Sequence, residues 1–145
     1  MSTEDNKRVV RAIEEAWDSG KLDQLNNLLA PNFMNHSGVP GMPHDVETLK
    51  MIHGMSMSAM PDRRVEIVDT VAEGDKVVVR CHVTGTNTGG FPWLGAGAND
   101  AKVDFEWIGI YRVEDGKAVE HWGVNDGIAL LQQTGAWSPP PMPGA

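Results

Sequence analysis

Apolar residues fall at helical spacing up to Pro61 and at strand spacing from Arg63 onward, so the chain reads as helices followed by a sheet. Ser2 and Thr3, followed by Glu4 and Asp5, offer an N-cap and an acidic first turn. Val9, Val10, Ile13, Ala16 and Trp17 then form one stripe that Gly20 ends. Leu22, Leu25, Leu28 and Leu29 make a second stripe, which Pro31 stops within a few residues. A short strand is expected from Phe33 to His36, then a Pro/Gly loop. A third helix opens at Asp45, carries Val46, Leu49, Ile52 and Ala59, and is closed by Pro61.

Beyond that point Val65, Ile67, Asp69 and Val71 alternate with polar neighbours. After the turn AEGDK, Val77, Val79, Cys81 and Val83 continue on one face while Arg80, His82, Thr84 and Thr86 take the other. A further strand is expected from Val103 to Val113. The Asp-Gly pair of EDGK then turns the chain into a last strand, Lys117 to Asp126, followed by a short helix, GIALLQQ. This order implies an α+β domain over residues 1–136, with helices laid across one face of a curved antiparallel sheet. Residues 137–145 form a Pro-rich tail that favours extended backbone, with Trp137 free to fold back over an opening.

Composition narrows the functional classes. The chain carries 12 Lys plus Arg against 20 Asp plus Glu, and this formal net charge of -8 repels phosphate backbones and anionic lipid surfaces. Neither nucleic acid nor membrane is an expected partner. No apolar run nears the roughly 20 residues of a bilayer span. The acidic start MSTEDNKRVV lacks a signal peptide's apolar segment, so a cytoplasmic location is expected. Cys81, the single cysteine, lies among valines and reads as a small core residue. The histidines show neither HxH nor HExxH spacing, so no metal site is expected. The segment GTNTGGFPWLGAGAND lacks the lysine of a phosphate loop, and no flavin or dinucleotide motif is present, so no cofactor is expected either. With 5 tryptophans against 1 tyrosine, Trp17, Trp93, Trp107 and Trp122 are candidates for lining a ligand pocket as well as for ordinary core packing.

Four segments carry a family likeness: AWDSGKLDQL, NFMNHSGVPG, VDTVAEGDKVVVRCHVTGTNTGGF and IGIYRVEDGKAVEHWGVNDGIALLQQTG. In order and spacing, from Asn6 to Gly135, they resemble the SnoaL-like polyketide cyclases, or ester cyclases, of the nuclear-transport-factor-2-like superfamily. The resemblance implies a cone-shaped α+β barrel whose apolar pocket opens at one end, and a homodimer paired through the outer sheet face. It also implies cofactor-independent ring closure of a polyketide ester by intramolecular aldol condensation. Hydroxylation components and non-catalytic binders share the fold, and both readings stay open. Relatives often have a small residue where this chain has Trp107 and Asp where it has Gly109, an exchange expected to reshape the pocket.

The resemblance places the acid/base aspartate at Asp126. Strand alternation sets Trp122, Val124 and Asp126 on one face, where apolar neighbours would raise the carboxyl pKa. Capping the helix GIALLQQ is the competing job for this residue. His36 matches a histidine at the pocket mouth and is the second catalytic candidate, as donor to an enolate oxygen. Contacts to a polyketide-like substrate are expected from His53, one turn after Leu49, and from Trp17, Trp107 and Trp122. Asn87 and Phe91 of the Gly-rich loop, read as a flexible lid, complete the set.

Overall fold

The computed structural model describes residues 1–144. Helix α1 (Thr3–Ser19) begins at a capping box, in which the Ser2 hydroxyl accepts from the Asp5 N–H. It ends at Gly20, whose φ of 72° is left-handed backbone that a side chain resists. A 3-10 turn (Leu22–Gln24) and the single-turn α2 (Leu25–Leu28) follow. Strand β1 (Leu29–Asn35) starts earlier than the expected Phe33 and takes Pro31 into itself. Pro31 lies on an edge strand, in the irregular stretch between Leu29 and Met34, where its missing N–H interrupts no regular ladder. Helix α3 (Val46–Ala59) is capped by Asp45, whose side chain accepts from the Thr48 N–H at 2.9 Å. Strands β2 (Arg64–Glu73), β3 (Lys76–Thr86), β4 (Lys102–Glu114) and β5 (Lys117–Asn125) precede α4 (Gly127–Gln133).

The 5 strands lie in the order β1-β5-β4-β3-β2. The meander from β2 to β5 is antiparallel as expected, whereas β1 joins β5 in parallel. The curved sheet stays open between β1 and β2, so it is a partial cone and not a closed barrel, and α1 packs within its concavity against β2, β3, β4 and β5. Two irregularities reset the alternation. A bulge between Ile67 and Asp69 turns Val71 outward, to 64% exposure, and packs Ala72 inward. Another, opposite Arg112 and Val113, lets both Ala118 and Val119 be buried.

The main core joins Val10, Ile13 and Trp17 of α1 to Val77, Val79 and Cys81 of β3. Each such side chain contributes on the order of 1.5–3 kcal/mol by leaving water. Burial pushes the Cys81 thiol up to about 12, which removes it as a nucleophile. A second cluster gathers Met60, Val83, Phe91, Val103 and Leu130 beneath α4. Trp137 is 42% exposed, its N–H donates to the Leu131 carbonyl, and the tail from 138 to 144 forms no helix or strand. The last residue of the expected tail, 145, lies outside the described residues.

Candidate active site

A cavity of about 530 Å³ lies between α1, α3 and the concave face of the sheet. The space follows from how α3 packs. Only Ala59 of that helix is fully buried, and its inward residues Leu49, Ile52, His53 and Ser56 face the void. The opposite wall is a ladder of cross-strand pairs, Trp107 with Asn125, Gly109 with Gly123, and Tyr111 with His121. The glycines make room for an indole. A Cβ on Gly109 would stand 2.5 Å from Cη2 of Trp107, and one on Gly123 would stand 3.2 Å from its Nε1. Trp107 therefore lies across the glycine pair and stacks on His121, with 5.7 Å between ring centroids.

His121 is held in one tautomer. The Ser37 N–H donates to Asn35 Oδ1 at 3.2 Å, which makes that atom an acceptor, so His121 Nδ1 donates to it at 2.9 Å. Its Nε2 is left unprotonated, buried and without a partner among the described residues. Burial, reinforced by the charge of His36, lowers the pKa of His121 to about 4, and the ring is neutral near pH 7.

Glu14 reaches the cavity from α1 and accepts a hydrogen bond from the Tyr111 hydroxyl at 2.6 Å. Burial raises its carboxyl to about 7, against the lowering influence of that hydrogen bond and of the Arg63 charge. Burial and the adjoining Glu14 push the Tyr111 phenol well above its ordinary value, so it remains the donor. Arg63, just before β2, lines the same cavity, and its buried Nε and Nη1 donate to no group among the described residues. His53 lies 5.0 Å from the Trp17 ring; burial and then Arg63 lower it to about 4, with Asp18 opposing. An acid/base group poised near neutrality, a cation and two neutral imidazoles thus share an apolar shell that includes Trp17, Val65 and Phe105. Such a cavity suits a largely apolar ligand bearing several polar oxygens. Among the described residues no group of three or more His, Cys, Asp or Glu is placed to hold a metal ion, and no helix is long and apolar enough to cross a membrane.

A family model described as SnoaL-like polyketide cyclase matches residues 7–134. The chain belongs to the SnoaL-like polyketide cyclase family. Among solved structures, this SnoaL-like chain is similar to AclR, a candidate hydroxylase from Streptomyces galilaeus, at 26% identity and a TM-score of 0.83 over 97% of this chain and 91% of that one. It is also similar to IdmH, a candidate polyketide cyclase from Streptomyces antibioticus, at 29% identity and a TM-score of 0.80 over 90% and 98% of the two chains. A candidate polyketide cyclase from Bacillus cereus shares 30% identity and a TM-score of 0.81 over 95% and 87%. No curated protein matches the chain.

Of the residues marked by the sequence, His53, Trp17 and Trp107 line the cavity of this SnoaL-like fold, whereas Asp126, His36, Trp122, Asn87 and Phe91 do not. The parity expected for β5 is reversed. Tyr111 and His121 pair on the inner face, which sends Trp122 to the outer one, where its ring stacks on His36 at 4.7 Å and 6°. His36 Nε2 donates to Glu120 at 3.0 Å, and Arg112 grips the same carboxylate. Asp126 is exposed and caps α4, its Oδ1 accepting from the Ala129 N–H at 3.0 Å. Asn87 is fully buried and ties the Gly-rich loop together. Its Nδ2 donates to the Gly97 carbonyl and to Asn99 Oδ1, and its Oδ1 accepts from the Gly90 N–H, each at 2.9 Å. With Phe91 2% exposed in the second core cluster, this loop is packed onto the fold and is not a hanging lid.

The sequence pattern does not single out Glu14, Asn35, Arg63, Tyr111 or His121. Glu14 had a readable signal, since it falls inside the α1 apolar stripe, four residues after Val10 and three before Trp17, where a charge is costly. Nothing local marks His121, because only its pairing with Tyr111 decides which parity of β5 faces inward.

Proposed function

We propose that this chain closes a ring in a polyketide-like substrate by intramolecular aldol condensation, with Glu14 as acid and base. A cavity-lining carboxyl with its pKa raised to about 7 carries the proposal, because such a group takes up and returns a proton readily at neutral pH. The Glu14 carboxylate removes a proton from a carbon lying between two carbonyls. The enolate carbon attacks a carbonyl carbon of the same molecule, so a C–C bond forms as that C=O π bond opens to an alkoxide. Glu14 then returns its proton to the alkoxide, and substrate and product are isomers. Trp17 and Trp107 hold the substrate folded, which removes much of the entropy cost of bringing the two carbons together. The likeness to IdmH and to the Bacillus cereus protein supports the substrate class. Pairing of two copies through the outer sheet face, where Ile108 and Val124 are 42% and 76% exposed, belongs to the same proposal.

Two rival assignments have their own support. Family resemblance favours Asp126 as the acid/base group, and the likeness to AclR favours hydroxylation of an aromatic polyketide in the same cavity. The test is anaerobic turnover, without added cofactor, of a polyketide offered both as free acid and as methyl ester, by the native chain, Glu14→Gln and Asp126→Asn. The native chain and Asp126→Asn are expected to give an isomeric product, and Glu14→Gln about a hundredfold less. Loss confined to Asp126→Asn returns the role to that residue. Product formed only in air with a reductase moves the reading to hydroxylation.

A further inference from the structure

We infer that Arg63 is an anchor for a ligand carboxylate, so that the cavity selects polyketide-like molecules bearing a free acid over their neutral esters. The arginines are unequally partnered. On the outer surface Arg80 is held by Asp69 and Glu106, and Arg112 by Glu114 and Glu120. Arg63 lines the cavity, and its Nε and Nη1 are buried with no hydrogen-bond partner among the described residues. Buried N–H groups are nearly always satisfied, and a guanidinium is the donor set best matched to a carboxylate.

Each of the two carboxylates near Arg63 already accepts a hydrogen bond from another group. Asp18 accepts from the Val65 N–H at 2.8 Å, and Glu14 accepts from the Tyr111 hydroxyl at 2.6 Å. The other titratable groups near it, His53 and Cys81, are neutral near pH 7, so among the described residues Asp18 and Glu14 are the anions that influence the cation. Burial lowers the pKa of Arg63, yet a guanidinium is so strong a base that it stays charged at neutral pH. Trp17, Val65, Val83 and Phe105 give the wall its apolar stretches, and among the described residues no lysine lines it. One guanidinium in such surroundings suits a single carboxylate, whereas a phosphate dianion calls for more donors.

The anchor rests on the proposal that this cavity is the substrate site. Its test reads affinity without turnover, so ring closure and the anchor fail separately. Binding of 3-hydroxy-2-naphthoate and of its methyl ester is measured by titration calorimetry at pH 6, where the ligand is ionised and Glu14 is largely protonated. The native chain is expected to bind the acid about tenfold more tightly than the ester. Arg63→Leu is expected to bind the two equally, and Arg63→Lys, which keeps the charge without the planar fork, to retain part of the preference. Should Arg63→Leu lose its cooperative thermal transition, Arg63→Lys carries the test through that partial loss. Equal affinities in the native chain, no binding of the acid, a preference that survives Arg63→Leu, or an undiminished preference in Arg63→Lys would each overturn the assignment.

Discussion

Replacing Glu14 by glutamine removes a titrating group from the cavity while leaving an oxygen to accept from the Tyr111 hydroxyl. In the folded chain the carboxyl is raised from 4.5 to about 7, chiefly by burial. Between those values the folded state keeps a proton that the unfolded chain has released. The unfolded state therefore binds fewer protons, and stability falls as pH rises through this window. The interval from 4.5 to about 7, at about 1.4 kcal/mol per pH unit, gives on the order of 3 kcal/mol lost by pH 8. Glutamine does not titrate, so Glu14→Gln is expected to be more stable than the native chain by about that amount at pH 8. For a chain of this size that is a Tm roughly 6–12 °C higher. Thermal unfolding followed by circular dichroism from pH 5.5 to 8.5 should show the gap widening with pH and levelling off above about 7. A gap independent of pH, or one that narrows as pH rises, would refute a carboxyl held near neutrality by burial. A variant that gains stability at alkaline pH as it loses turnover would also show what the buried acid costs the fold.

Two further outcomes test the packing around the site. Gly109→Ala sets a methyl against the Trp107 ring and is expected to cost about 1–3 kcal/mol. Most of that loss should vanish in a Trp107→Ala background, and a thermal double-mutant cycle with strictly additive effects would show that the glycine serves something other than the indole. Asn87→Ala removes the side-chain hydrogen bonds that tie the Gly-rich loop and is expected to lower stability by about 2–4 kcal/mol, with turnover per folded molecule unchanged. A selective drop in turnover at unchanged Tm would instead give the loop a direct part in catalysis.

The helices were legible because their signals are local. Ser2, Gly20 and Asp45 mark ends by capping chemistry, and the valines of β3 alternate without interruption. What failed was parity, which is not a local property. The bulges opposite Cys81 and Arg112 each insert a residue that no propensity marks, and every position beyond them changes face. That is why Val71 points outward and why simple alternation puts Trp122 on the wrong face. Pro31 misled for a related reason, since a proline that ends a helix can equally sit in an irregular edge strand. The site was legible only in part. His53, Trp17 and Trp107 follow from helix and strand faces. The pairing of Asn35 with His121 joins strands far apart in sequence, and the lone guanidinium of Arg63 appears only when the partners around it are counted.

The parallel seam between β1 and β5 also sets the order in which the protein becomes competent. The Asn35 to His121 hydrogen bond spans 86 residues, and the intervening chain is the third helix and most of the meander. While the chain is still being synthesised, α1 and the β2–β3 hairpin can form from local contacts, but the first strand has no strand to pair with until the last has left the ribosome. The seam carries both the imidazole and the amide that fixes its tautomer. A nascent or truncated chain lacking β5 would therefore expose the apolar wall of α1 and α3 and lack the His121 side of the cavity. Until β5 arrives, that exposed apolar face is the kind of surface on which chaperones act.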